Sequence, residues 1–164
     1  MNIERTSTKA LKAAAMVPAR AALGASMIFH GLGKVRAAEE TGKHFEGMGL
    51  QPGKPLAMAT GLAELFAGVG AVLGLWTRPA ALAVLVTQAV AIWKVHGSKG
   101  FDITKGGYEY NAALMAIAAG LLIAGPGAFS AHEGLETLAQ GRGARGLLRR
   151  ARPSPLVRFL KLIK

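Results

Sequence analysis

Apolar residues along the chain gather into four blocks, each close to the roughly 20 residues that a helix needs to cross about 30 Å of hydrocarbon. The clearest covers 56–76: it carries one charge, Glu64, and closes on Trp76-Thr77-Arg78-Pro79, where an interfacial aromatic, a base and a helix breaker coincide. A block over 17–35 precedes it, with Arg20 near its start and His30 and Lys34 near its end. The third, 79–95, opens on a proline and ends in Trp93-Lys94-Val95-His96-Gly97; the fourth, 109–125, stops at Gly125-Pro126-Gly127. The last two are short, and flanking Lys, Tyr and Trp side chains that stretch to the interface make up the difference. The pattern predicts an all-α membrane protein: a basic N-terminal arm over 1–17, a four-helix transmembrane bundle over 18–127, and an amphipathic basic C-terminal tail over 128–164.

Composition supports that reading. The chain of 164 residues is 51% hydrophobic and only 18% charged, which excludes a disordered polyelectrolyte. Alanine and glycine make up about a third of it, material suited to helices packed closely in lipid. Small residues recur four apart in Ala112, Ala116, Gly120 and Ala124, and again in Gly70 and Gly74, and are read as packing stripes. The first block does not read as a cleaved signal peptide, because His30-Gly31-Leu32-Gly33-Lys34 is unlike a signal's apolar centre.

The net charge of +11 would point to nucleic acid in a polar chain, but the bases lie outside the apolar blocks, and anionic lipid headgroups are the expected partner instead. Thirteen of the 20 bases fall on the side shared by the two termini and the turn at Arg78. The positive-inside tendency therefore puts both termini in the cytoplasm and the loops 36–55 and 97–108 outside. The segment Leu156-Val157-Arg158-Phe159-Leu160-Lys161-Leu162-Ile163-Lys164 mixes bulky apolar side chains with bases and is expected on the inner leaflet.

In that orientation the intramembrane polar residues share one depth. His30 and Lys34 lie four apart on one face of the first helix, Glu64 enters from the second, Gln88, Lys94 and His96 from the third, and Glu109, Tyr110 and Asn111 from the fourth. Burying an ionisable group costs several kcal/mol, so Glu64 is expected to face Lys34, His30 or water. It reads either as a register-fixing ion pair or as a group that handles protons or substrate. His30 and His96 are weak candidates for axial haem ligands, and haem is not expected in the absence of a haem motif. No metal site, Walker loop, GxGxxG, HExxH or Ser-His-Asp order is present, and no inverted repeat favours a transporter. The chain has no cysteine, which removes thiolate chemistry and iron–sulfur ligation by its own residues.

Several motifs in order resemble a known family. They are R-x-x-L-G-x-x-x-x-x-H-G-x-x-K from Arg20 to Lys34, Phe45-Glu46-Gly47-Met48-Gly49-Leu50, Gly61-Leu62-Ala63-Glu64, Gly74-Leu75-Trp76-Thr77-Arg78, Gly106-Gly107-Tyr108-Glu109-Tyr110 and Gly125-Pro126-Gly127. Together they are similar to the DoxX family of small four-helix membrane proteins, over about residues 18–133. The resemblance implies a bacterial inner-membrane protein linked to redox chemistry, since relatives include subunits of a thiosulfate:quinone oxidoreductase. It carries motif positions to Arg20, His30, Gly31, Lys34, Glu64, Arg78, Glu109 and Tyr110.

Two functions follow as expectations. One is a subunit of a redox-associated complex, possessing no enzyme activity alone, that binds a quinone or similar small molecule in the outer half of the bundle. His30 and Glu64 would exchange protons there, Arg20, Lys34, Gln88, Glu109, Tyr110 and Asn111 would contact the ligand, and other redox subunits would supply electrons. The other is a non-catalytic scaffold or small-molecule-binding module in which the same polar layer fixes helix register. Homo-oligomerisation is compatible with both.

Overall fold

The structure is a computed structural model that describes residues 2–127, 129–144, 159, 161 and 162, with side chains from residue 14 onward and not for 139–144. Its principal elements are six α-helices: α1 (Asn2–Arg36), α2 (Ala38–Gly47), α3 (Gly53–Leu73), α4 (Thr77–Ala91), α5 (Glu109–Ala124) and α6 (Ala131–Ala144). A five-residue π turn, Ile92–His96, prolongs α4, and two short 3₁₀ turns occupy the connection to α5. The four apolar blocks appear as α1, α3, α4 and α5.

Three boundaries differ from the sequence reading. Helix α1 runs back through Pro18 to Asn2, so the residues of the basic arm continue the first helix. Helix α4 starts at Thr77, which places Pro79 in its first turn, where a missing N–H costs no intrahelical bond. The connection 36–55 contains α2, a helix too polar and too short to register as an apolar block. Of the tail, α6 is described, whereas most of the segment 156–164 lies outside the described residues.

On α3 the packing places small residues inside and large ones outside. The buried positions of α3 are Gly53, Ala57, Gly61, Glu64, Ala67, Gly68, Gly70 and Ala71, while Leu62, Phe66, Val69, Val72 and Leu73 on the same helix are exposed. Two helical stretches, Gly53–Leu73 and Thr77–Lys99, are long and apolar enough to cross a membrane, and only 39% and 22% of their spans are buried. A soluble core helix would bury most of its apolar surface. These helices present theirs outward, as contact with lipid requires.

The main seam joins α1 to α3 in antiparallel fashion. Gly24 faces Gly68 and Gly31 faces Gly61 so closely that a Cβ on Gly24 would stand 2.8 Å from the Gly68 carbonyl oxygen, and one on Gly31 2.7 Å from that of Gly61. Both pairs recur every seven residues, which keeps them on one face of each helix. Ala116, Gly120 and Ala124 of α5 are exposed, and Gly120 has nothing within 4 Å of its Cβ position. The stripe read there as packing therefore faces outward. The turn after α3 closes through Gly74 in the left-handed region (φ 65°), with the Leu75 amide bonded to the Gly70 carbonyl in a Schellman arrangement.

Candidate functional site

The residues singled out from the sequence separate into three groups. At the first, Lys34 Nζ donates to both oxygens of Glu64, at 2.9 and 2.7 Å. The carboxylate is 4% exposed and the ammonium 24%. The glycine pairing of α1 on α3 sets this geometry: in the antiparallel pair Lys34 lies three residues beyond Gly31 in one direction and Glu64 three beyond Gly61 in the other. Both side chains lean back toward their helix N-termini and meet beside the Gly31–Gly61 contact, where a Cβ on Gly61 would stand 3.0 Å from the Lys34 Cβ. Glu64 satisfies the requirement for a charged partner, and the ion pair links the two helices.

The pair forms the polar wall of a groove of about 520 Å³ between α2, α3 and the α4 end. Leu56, Val86 and Val90 supply apolar walls, and Lys94 and His96 line the π-turn side. The π turn places Lys94 Nζ 4.0 Å from the centroid of the Trp93 ring, with that ring 74% exposed toward the surroundings. His96 Nδ1 lies 2.7 Å from the Gly106 carbonyl oxygen, which can only accept, so that nitrogen carries a proton and donates. Thr41, His44 and Phe45 of α2 and Met48 just after it close the groove on that side.

The second group is a buried layer across α1, α4 and α5. Tyr110 Oη is hydrogen-bonded to Ser26 Oγ, and the Tyr110 ring lies 5.8 Å from that of His30. One residue further along each helix, Asn111 Nδ2 donates to Gln88 Oε1 at 2.8 Å, and Gln88 Nε2 points at Met27 Sδ, 3.9 Å away. Buried amides that find each other in this way avoid the cost of unpaired polar atoms. Ser26, His30 and Lys34 rise at four-residue intervals on α1, so the layer meets the ion pair through His30. His30 does not line the groove: it lies on the other side of Lys34, in a separate recess. His30 and His96 thus line different hollows, which does not bring together the two candidate haem ligands.

The third is Arg20, which stands apart. It is 14 residues from Lys34, about 21 Å along α1 at 1.5 Å per residue, and is 4% exposed. Its guanidinium donates to four backbone carbonyls: Ala71 at 2.9 Å, Val72 at 2.9 Å, Pro126 at 2.8 Å and Phe129 at 2.7 Å. Ala71 and Val72 belong to the last turn of α3, whose carbonyls lack intrahelical partners and carry the negative end of the helix dipole. Four of its five N–H donors are engaged in this way, and a Cβ on Gly74 would lie 2.7 Å from the Arg20 Cζ. Arg20 is a clasp between helices and does not reach the groove.

Glu109 is exposed and accepts from the Ile103 amide at 3.3 Å, tying the connection before α5 rather than facing the groove. In that connection Asp102 accepts from the amide and hydroxyl of Thr104, and these bonds hold its carboxyl below the usual aspartate value. Sequence reasoning missed Ser26 and the groove contribution of α2. The only trace of α2 is its buried Ala38 and Gly42, four residues apart, with Phe45 one turn on.

The sequence model of the DoxX family matches residues 15–97, half of the chain, and the protein belongs to that family. It is a membrane protein, as the family and its outward-facing apolar helices both indicate. The match takes in α1 through the π turn and so contains both members of the ion pair and every helix that lines the groove. No curated protein and no solved structure matches the chain.

Proposed function

We propose that this protein is a four-helix subunit of a redox-associated complex in the bacterial inner membrane, and that its groove binds a quinone or a similar amphiphile. The observation that carries the reading is the buried Lys34–Glu64 pair set into the wall of an otherwise largely apolar groove of about 520 Å³. Small-molecule sites are commonly hollows of about 300–1,000 Å³ with apolar walls and a few placed polar groups. A quinone ring has apolar faces and two carbonyl acceptors. Lys34 is the donor available to one of them, and Lys94 is the second base on the groove wall.

Reduction of a quinone to the quinol takes up two electrons and two protons. Glu64 and Lys34 can pass a proton toward a ring oxygen, and His30, behind Lys34, can replace it from the neighbouring recess. With no cysteine in the chain, the electrons are assigned to a partner redox subunit. Termini in the cytoplasm follow from the distribution of bases, and the basic tail is assigned to the anionic inner leaflet.

The test is extraction. Full-length protein purified in mild detergent is extracted with organic solvent and its quinone measured against a detergent blank. Co-purified quinone that is lost per folded molecule in Lys34→Met and Glu64→Gln supports the proposal. Quinone no higher than the blank, or unchanged in both variants, refutes it.

The scaffold reading has its own support. Both Glu64 oxygens are occupied by Lys34, and the pair bridges α1 and α3 beside the Gly31–Gly61 contact, as a register-fixing contact would. It predicts that Glu64→Gln lowers folded yield and leaves any bound lipid or quinone unchanged per folded molecule.

A further inference from the structure

On the face of α1 away from the groove lies a recess of about 380 Å³, lined by Phe29, His30, Leu32, Lys34, Arg36 and Thr41. We infer that this recess holds the phosphodiester head of an anionic phospholipid. The inference does not depend on what occupies the groove.

Depth comes first. Arg36 is the last residue of α1, and Thr41 adjoins Gly42, which packs directly on Gly53, where the first membrane-length apolar stretch begins. Arg36 and Thr41 therefore stand level with the start of that span, the height of lipid headgroups. Phe29 and Leu32 lie one to two turns deeper, and Phe29 is 75% exposed. The seven residues from Phe29 to Arg36 correspond to about 10 Å along the axis. The recess thus has a basic upper rim and an apolar lower wall, the polarity of a phospholipid entering its acyl region.

Charge comes second. The lining includes Lys34, Arg36 and His30 and no carboxylate. Lys34 is already neutralised by Glu64; of the two acids that open α2, Glu39 is paired with Lys54 at 2.8 Å, and Glu40 is exposed and lies outside the lining. The Arg36 side chain makes no hydrogen bond or ion pair with any described residue. One uncompensated guanidinium beside a hydroxyl matches one phosphodiester, and guanidinium binds phosphate oxygens through paired donors. The lining itself therefore carries a net single positive charge, which favours a head carrying one negative charge over a zwitterionic one.

The experiment maps a photoreactive phosphatidylglycerol, with its diazirine near the head, on the full chain in micelles. Labelling of residues 29–41 is expected, displaced by unlabelled phosphatidylglycerol but not by equal phosphatidylcholine or by inorganic phosphate. Arg36→Gln should lower labelling of that segment roughly ten-fold, and Arg36→Lys less. Far-UV circular dichroism and gel-filtration elution of Arg36→Gln matching the wild type serve as the control for a folded chain. Unchanged labelling in Arg36→Gln, or equal competition by phosphatidylcholine, overturns the inference. Equal competition by inorganic phosphate overturns the lipid assignment and makes the recess a site for free phosphate.

Discussion

Replacing Gly68 with alanine puts one methyl group into the closest part of the α1–α3 seam. The new Cβ would lie 2.7 Å from Ile28 Cγ1, 2.8 Å from the Ile28 amide nitrogen and 2.9 Å from the Gly24 carbonyl oxygen. Non-bonded atoms of these kinds sit comfortably at about 3.5 Å or more, so the helices must part by roughly 0.6–0.8 Å. The Ile28 methylene can rotate, but the other two atoms are backbone and move only with the whole helix. Overpacking of this kind costs about 1–3 kcal/mol, here toward the upper end, and the better helix propensity of alanine returns about 1 kcal/mol. The expected net loss is about 1–2 kcal/mol. Gly120→Ala is the matched control: its Cβ meets nothing, and it should gain about 0.5–1 kcal/mol. Reversible unfolding in mixed micelles, followed by far-UV circular dichroism, measures both. A Gly68→Ala variant as stable as the wild type, or one less affected than Gly120→Ala, would refute the seam as the close contact that organises the bundle.

Arg20→Gln leaves the four carbonyls short of donors and should cost about 3–5 kcal/mol in the same assay, with Arg20→Lys recovering only part because an ammonium lacks the planar fork. Lys34→Met strands a buried carboxylate and should destabilise by about 3–5 kcal/mol, whereas Lys34→Met with Glu64→Leu should return close to wild type; additive losses in this cycle would show that the two groups do not act as a pair. The Asp102 carboxyl is held below its ordinary value by the Thr104 donors, so this contribution to the loop is complete above the ordinary aspartate range and is lost as pH falls through the depressed value. The protection of the Thr104 amide, its exchange rate taken relative to the intrinsic rate at each pH, should therefore fall at acid pH and be low at all pH in Asp102→Ala.

The membrane-length helices were legible because hydropathy over some twenty residues is a strong signal that local context seldom overrides. Helix α2 was not, since its ten residues include Glu39, Glu40, Lys43 and Glu46 and bury only Ala38 and Gly42. The Lys34–Glu64 pair could be anticipated from the cost of an acid at that depth, which leaves few acceptable partners. Arg20 could be found as unusual but its role could not: its acceptors are main-chain carbonyls, which every residue carries and no sequence motif marks. The glycine seam escaped notice because it repeats every seven residues along α1 and α3, whereas the conspicuous four-residue stripe on α5 turns away from the protein. Placing His30 and Glu64 in one pocket failed at a finer level, since the Lys34 side chain stands between their two hollows.

The carbonyls held by Arg20 come from opposite ends of the order in which the chain is made. Ala71 and Val72 are available once α3 has left the ribosome, but Pro126 and Phe129 emerge some fifty residues later. Between those moments the guanidinium has two donors without an acceptor in a region that offers little water, so biosynthesis passes through a half-fastened stage. A nascent chain stalled just before Pro126 should be cut by protease near the end of α3 more readily than one stalled well beyond Phe129, and the last latch of this bundle is closed by residues beyond the stretch 15–97 that matches the family's sequence model.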